Sequence, residues 1–97
     1  MLRHVVLLEL HADTDPDHTS VLVDSLRALP AQIDAIDSYT VHLDAGLAEG
    51  NATVAVVGDF VDVDAWRRYQ DHPAHQRVLA EQVRPALADR AAIQFEL

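Results

Sequence analysis

Hydrophobic positions along the chain fall into blocks whose period changes, and each change marks a new element. His4 to His11 (HVVLLELH) is a short apolar run rich in valine and leucine, which reads as a buried strand. Asp13 to Asp17 is a polar turn. Thr14 with Asp17 three residues later resembles a capping box, and Pro16 falls inside the first turn of the helix it would start. Leu22, Leu26, Leu29 and Ile33 then recur at helical spacing, so a first helix is predicted from about Asp15 towards Leu29, closed or kinked by Pro30. Ile36 to Asp44 is predicted as a second strand, with Tyr39, Val41 and Leu43 on one face and Ser38, Thr40 and His42 on the other. Ala45 to Asn51 is a polar loop, and Ala52 to Phe60 (ATVAVVGDF) a third strand. Asp62 caps a second helix bearing Val63, Trp66 and Tyr69, which His72-Pro73 interrupts. A third helix is predicted from Pro73 to about Leu87, carrying His75, Leu79 and Val83 on one row, with Pro85 near its end. Arg90 to Leu97 alternates and forms the last strand.

The order is βαββαβ with the second helical segment split in two. That is the ferredoxin-like α+β arrangement, a four-stranded antiparallel sheet with helices on one face, in a single domain spanning residues 1–97. A sheet with one solvated face alternates apolar and polar residues. Strands 1 and 3 do not: Val5 and Leu7 stand opposite Val6, Leu8 and Leu10, and Val54 and Val56 opposite Ala55 and Val57. Both faces therefore demand burial. The helices cover one, and a second copy of the sheet is the simplest cover for the other, which predicts a homodimer.

Charge narrows the partners. The formal net charge is −9 and every basic residue is Arg, which disfavours nucleic acid and anionic membrane surfaces. There is no cysteine, hence no disulfide framework, thiol nucleophile or cysteine-held metal. No leader-like or membrane-length apolar run appears, so a soluble, cytoplasmic protein is expected. The three glycines are dispersed, without a nucleotide-binding pattern, and no serine elbow occurs.

Candidate chemistry gathers at Tyr69-Gln70-Asp71-His72-Pro73-Ala74-His75. Proline fixes its own φ and drives the preceding residue out of the helical region, so His72 is expected to cap the third helix and His75 to lie in its first turn. The positive end of that helix disfavours imidazolium, which predicts a neutral His75 able to act as a base near pH 7. His4 shares the face of Val6 and Leu8. His72 and His75 form an H-x-x-H pair, but a tight metal site needs a third ligand and usually a fourth, so no metal is assigned. His11, His18 and His42 read as surface residues.

These features resemble the stress-responsive A/B barrel (Dabb) family, a branch of the dimeric α+β barrel proteins. The resemblance rests on Arg3-His4-Val5-Val6-Leu7-Leu8, Leu26-Arg27-Ala28-Leu29-Pro30, Glu49-Gly50-Asn51, Asp59-Phe60 and above all the tyrosine followed by His-Pro-x-His from Tyr69 to His75. It covers essentially the whole chain and implies a ferredoxin-like monomer in a homodimer. A plant relative in the family is a polyketide cyclase that closes a linear poly-β-keto product by aldol condensation. There, residues matching His75, Tyr69 and His4 share one cavity, the first as base. A tyrosine of that cyclase's first helix is replaced here by Leu26, and a strand-3 histidine by Val54 or Thr53. The resemblance thus implies His75, Tyr69 and His4 as catalytic residues. Beside them His72, expected as the helix cap, Trp66, expected between the second helix and the sheet, Phe60 and Leu26 are taken as substrate-binding neighbours. The resemblance implies two alternative functions. One is a cofactor-free cyclase or lyase acting on a polyketide-like or aromatic small molecule by His/Tyr acid–base chemistry. The other is a non-catalytic stress-responsive dimer that holds a small hydrophobic ligand.

Overall fold

A computed structural model describes residues 1–97. Strand β1 (Leu2–Leu10) leads to helix α1 (Pro16–Arg27), then β2 (Ser38–Leu43), β3 (Val54–Phe60), α2 (Val63–Asp71), α3 (Pro73–Val78) and β4 (Leu87–Glu96). The four strands form one sheet in the order β2-β3-β1-β4, with every neighbouring pair antiparallel. This is the ferredoxin-like arrangement anticipated from the pattern.

Several boundaries move, each for a local reason. The cap of α1 is Asp15 and not Thr14: the Asp15 carboxylate accepts from the Asp17 backbone N–H at 2.8 Å. Helix α1 stops at Arg27, and the chain tightens into a 3₁₀ turn, Leu29–Ala31, that accommodates Pro30. Strand β2 is shorter than expected because Ile36 closes a turn onto Ile33 before pairing begins. The third helix is the larger correction. It is helical only to Val78, continues as a π turn over Leu79–Val83, and ends before Pro85. The Arg84 N–H reaches back five residues to the Leu79 carbonyl at 2.9 Å. Strand β4 accordingly begins at Leu87, where a register shift at Glu9/Leu10 lets Leu10 pair with Leu87.

Register sorts the side chains. Leu2, His4, Val6, Leu8 and Leu10 face the helices and are buried, together with Val54, Val56 and Phe60 of β3 and Val41 of β2. Leu22, Val23, Leu26 and Leu29 close the core from above, with Ala65 and Tyr69 of α2 beside them. The opposite face carries Val5, Leu7, Ala55 and Val57, extended by Ile93 and Phe95 through their pairing with Val5 and Arg3. Leu7 is 43% exposed, Ile93 59% and Phe95 42%, so this face is an uncovered apolar surface in the single chain. At its rim Arg3 grips Asp59 through two hydrogen bonds of 2.8 and 2.9 Å, and the Ser38 hydroxyl donates to the same carboxylate at 3.1 Å.

Candidate active site

Between the sheet and the segment running from α3 through the π turn lies a cavity of about 420 Å³. Its floor is His4, Val6 and Leu8 of β1 with Val56 of β3; Leu26 and Tyr39 flank it, and Tyr69, His75, Leu79 and Val83 form the roof. Arg84 and Arg90 also line it.

The proline break sets the roof. His72 is extended (φ −65°, ψ 135°) and serves as the last residue of one helix and the cap of the next. Its Nδ1 accepts from the Ala74 backbone N–H at 3.0 Å, as the capping role requires. Helix α3 then starts one residue on, and its first turn carries His75 inward, only 5% exposed. The Gln70 carbonyl, 3.3 Å from His75 Nδ1, can only accept, so the proton sits on Nδ1 and the Nε2 lone pair is free. Gln70 is itself held by the Gln76 side chain, which donates to the same carbonyl at 2.6 Å.

His75 lies 4.2 Å from Tyr69, centroid to centroid, with the rings tilted by 34°. The two therefore pack face against face. The Tyr69 hydroxyl bonds to the Tyr39 hydroxyl at 2.8 Å, not to the imidazole. In such a pair one phenol donates to the other, and the acceptor keeps its own proton for a third oxygen. His4 completes the group, 2% exposed and edge-on to Tyr69 at 5.9 Å. The Gln94 amide donates to His4 Nδ1 at 2.8 Å, which leaves the His4 proton on Nε2.

Burial sets the protonation states. Desolvation pulls His4 down to about 4, assisted by the nearby charges of His75 and Arg90. His75 is also lowered, chiefly by burial; the Gln70 carbonyl opposes this, while Arg84 and His72 add to it. The direction agrees with the neutral His75 expected from the sequence, and burial is its first cause. Desolvation pushes Tyr69 up to about 12, and Tyr39 is raised as well by burial and by Tyr69. At neutral pH the site holds two uncharged imidazoles and two intact phenols: a base, and donors for an oxygen acquiring negative charge.

The sequence-expected residues divide. His75, Tyr69 and His4 come together, and Leu26 lines the same cavity. His72, Trp66 and Phe60 do not reach its wall. His72 is occupied as a cap, and Phe60 is fully buried behind Tyr69 at 5.0 Å. Trp66 packs edge-on to His4 at 5.9 Å, with its indole N–H unpartnered. These three stand behind the residues that line the cavity. His72 Nδ1 and His75 Nδ1 are each engaged with a backbone group, and no cluster of three His, Cys, Asp or Glu able to hold a metal ion is assembled. His18 is not a free surface residue: its Nε2 bonds the Gln82 carbonyl at 2.8 Å and ties α1 to the π turn.

Tyr39, Gln94, Gly58, Arg84 and Arg90 carry no local signal in the sequence that ties them to this site. Gly58 pairs with both His4 and Tyr39, and a Cβ there would meet Tyr39 and Phe60 ring carbons at 3.1 Å. Its missing side chain is the space those rings occupy.

Comparison with known proteins agrees with this architecture. The family model described as the Stress responsive A/B Barrel Domain matches residues 2–97. An uncharacterised protein of Streptomyces coelicolor is 33% identical over 82 residues, covering 82% of this chain and 84% of that one. A dimeric ferredoxin-like protein of unknown function from Thermobifida fusca superimposes with a TM-score of 0.90 at 42% identity, covering 99% of this chain and 90% of that one. The hydroxynitrile lyase of Passiflora edulis shares the fold, with a TM-score of 0.85 at 14% identity over 99% of this chain and 92% of its own. No helix is long and apolar enough to cross a membrane.

Proposed function

The chain belongs to the stress-responsive A/B barrel family, and on that footing we propose that it is a cofactor-free acid–base catalyst of the cyclase or lyase type, working as a homodimer on a small polyketide-like or aromatic carbonyl compound. One observation carries the reading: a buried, neutral His75 with a free Nε2 packs on a hydrogen-bonded phenol pair at the wall of a cavity large enough for such a molecule.

The chemistry follows from the arrangement. His75 Nε2 takes a proton from the carbon beside the substrate carbonyl. The C–H electron pair becomes the enolate double bond, and the carbonyl oxygen takes the charge. The Tyr39–Tyr69 pair donates a hydrogen bond to that oxygen. His4, a donor at Nε2, orients the substrate. Return of the proton from His75 to carbon closes the exchange; in the condensation the enolate carbon attacks a second carbonyl, whose oxygen takes the electron pair of its π bond and then the proton from His75, which regenerates the base. The homodimer is supported by the uncovered apolar face of the sheet and by the dimeric Thermobifida relative.

The minimal reaction tests this without knowledge of the natural substrate. Aryl methyl ketones incubated in D₂O should exchange their α-protons in the presence of the protein, followed by proton NMR. His75→Ala should slow the exchange by about 10²–10⁴-fold, the usual contribution of a positioned base. Exchange no faster than in buffer, across ketones that demonstrably bind, would leave a ligand-holding dimer without catalysis.

A further inference from the structure

The chain carries 16 acidic residues against seven basic ones, yet none of the 15 residues lining the cavity is acidic and two are arginines. That distribution runs against the charge of the whole protein.

Both arginines are placed there by specific backbone features. Register puts Arg90 opposite Leu8 on the helix-facing side of β4, four residues along from Gln94, the partner of His4. At strand rise the two backbone positions are about 13 Å apart, while the long Arg90 side chain still brings its charge within reach of His4. Arg84 comes directly after the π turn. The extra residue of such a turn rotates the residues beyond it, and here Leu79, Val83 and Arg84 all line the cavity.

Neither guanidinium is engaged. The ion pairs of the chain are Arg3 with Asp59 and the Met1 amino group with Glu96. Asp89, the acidic neighbour of Arg90, turns to the opposite face of the sheet and accepts from the Arg90 backbone N–H at 2.9 Å. Both arginines are solvent-exposed, so they stand at the mouth, while the imidazoles and phenols lie at the buried end.

We infer that the ligand of this cavity is a small carbonyl compound with an apolar or aromatic body and a carboxylate, the carboxylate held at the mouth by Arg84 and Arg90 and the reacting carbonyl at the inner end beside His75 and Tyr69. This rests on the functional reading above and adds the charge of the substrate to it. A guanidinium meets a carboxylate as a planar, two-pronged donor, so the pair fixes orientation as well as charge. A ligand entering carboxylate-last presents its carbonyl to the base. It also leaves its charge in the half-solvated mouth, where desolvation costs least.

The test uses two matched probes, 3-phenylpropionate and its neutral amide, titrated into the ¹⁵N-labelled protein and followed by amide and side-chain NMR shifts. The acid should bind about tenfold more tightly than the amide, the effect of one or two charge-assisted hydrogen bonds. Arg84→Gln and Arg90→Gln should each lose part of that preference, and the double variant all of it, while amide affinity stays unchanged. Equal binding of acid and amide to the wild type would overturn the inference and leave the proton-transfer reading standing. Loss of amide binding in the double variant would also overturn it, because the arginines would then shape the cavity instead of reading charge. Inorganic phosphate binding more tightly than the acid would overturn it in favour of a phosphate-bearing ligand. If neither probe moved the signals of His75 and Tyr69, both readings would fall.

Discussion

The hydroxyls of Tyr39 and Tyr69, 30 residues apart in the chain, meet at 2.8 Å. One comes from strand β2 and the other from the last turns of helix α2, so the pair forms only when sheet and helix dock. Because burial keeps both phenols protonated, the pair can donate to an oxygen that becomes charged. Tyr69→Phe is expected to lower ketone α-proton exchange by about a hundredfold, the scale of losing one oxyanion donor. Tyr39→Phe should cost less, about tenfold, and the double variant little more than Tyr69→Phe alone, since the two act as one unit. Additive losses in the rate measurements would show independent roles.

Gly58 tests the packing beneath that pair. Its φ is ordinary; what matters is the absent Cβ, which would sit 3.1 Å from the rings of Tyr39 and Phe60. Gly58→Ala is expected to destabilise the fold by about 1–3 kcal/mol, as overpacking does, and to reduce exchange by displacing Tyr39. Denaturant unfolding together with the exchange assay reads both effects.

Acid should weaken the protein in a defined window. His4 is held at about 4 in the folded chain, below the ordinary 6.5, because burial disfavours its charged form. The unfolded chain binds that proton first. The stability contributed is therefore complete above pH 6.5 and is lost as pH falls towards 4, on the order of 3 kcal/mol. His75 is shifted in the same direction and adds to the loss. Asp59, lowered by the Arg3 hydrogen bonds, acts below this window, contributing above the ordinary carboxylate range and losing its contribution as pH falls further. Urea unfolding at steps between pH 7.5 and 4 should show the decline, and His4→Gln should flatten it.

The uncovered face of the sheet makes its own demand. Ile93 is 59% exposed in the single chain and lies beside Val5. In sedimentation at micromolar concentration the wild type should run as a dimer, and Ile93→Asp, which places a charge on the apolar face proposed to pair, should shift it to a monomer. A wild type that sediments as a single well-behaved subunit would remove the dimer.

The strands and the first helices are legible in the sequence because their periods are local properties, and the proline after His72 announces the break that turns His75 inward. The π turn is not legible. Leu79 and Val83 fit an ordinary helix row, and only the five-residue hydrogen bond from Arg84 reveals the inserted residue. Arg84 and Arg90 are invisible for the same reason, as two residues that reach one cavity only through a turn geometry and a strand register. Tyr39 falls on the correct face of its strand, but nothing in the local pattern ties residue 39 to residue 69. The resemblance points to a phenol at the position of Leu26, in the first helix; here Leu26 lines the cavity as an apolar wall and the second phenol comes from β2. Phe60 and Trp66 are expected at the ligand because aromatics near a site can line it, yet both are used to back Tyr69 and His4.

The state of one ring decides the rest. Histidine labelled with ¹⁵N in both ring positions reports tautomer and titration together, and the His75 signals can be identified by their loss in His75→Gln. A neutral ring with its proton on Nδ1, titrating below 6.5 and shifted at Nε2 when a ketone is added, is the result expected of a base held ready by the Gln70 carbonyl. A proton on Nε2, or a midpoint well above 7, would mean that His75 has no free Nε2 lone pair to offer at neutral pH and would contradict the proposed chemistry.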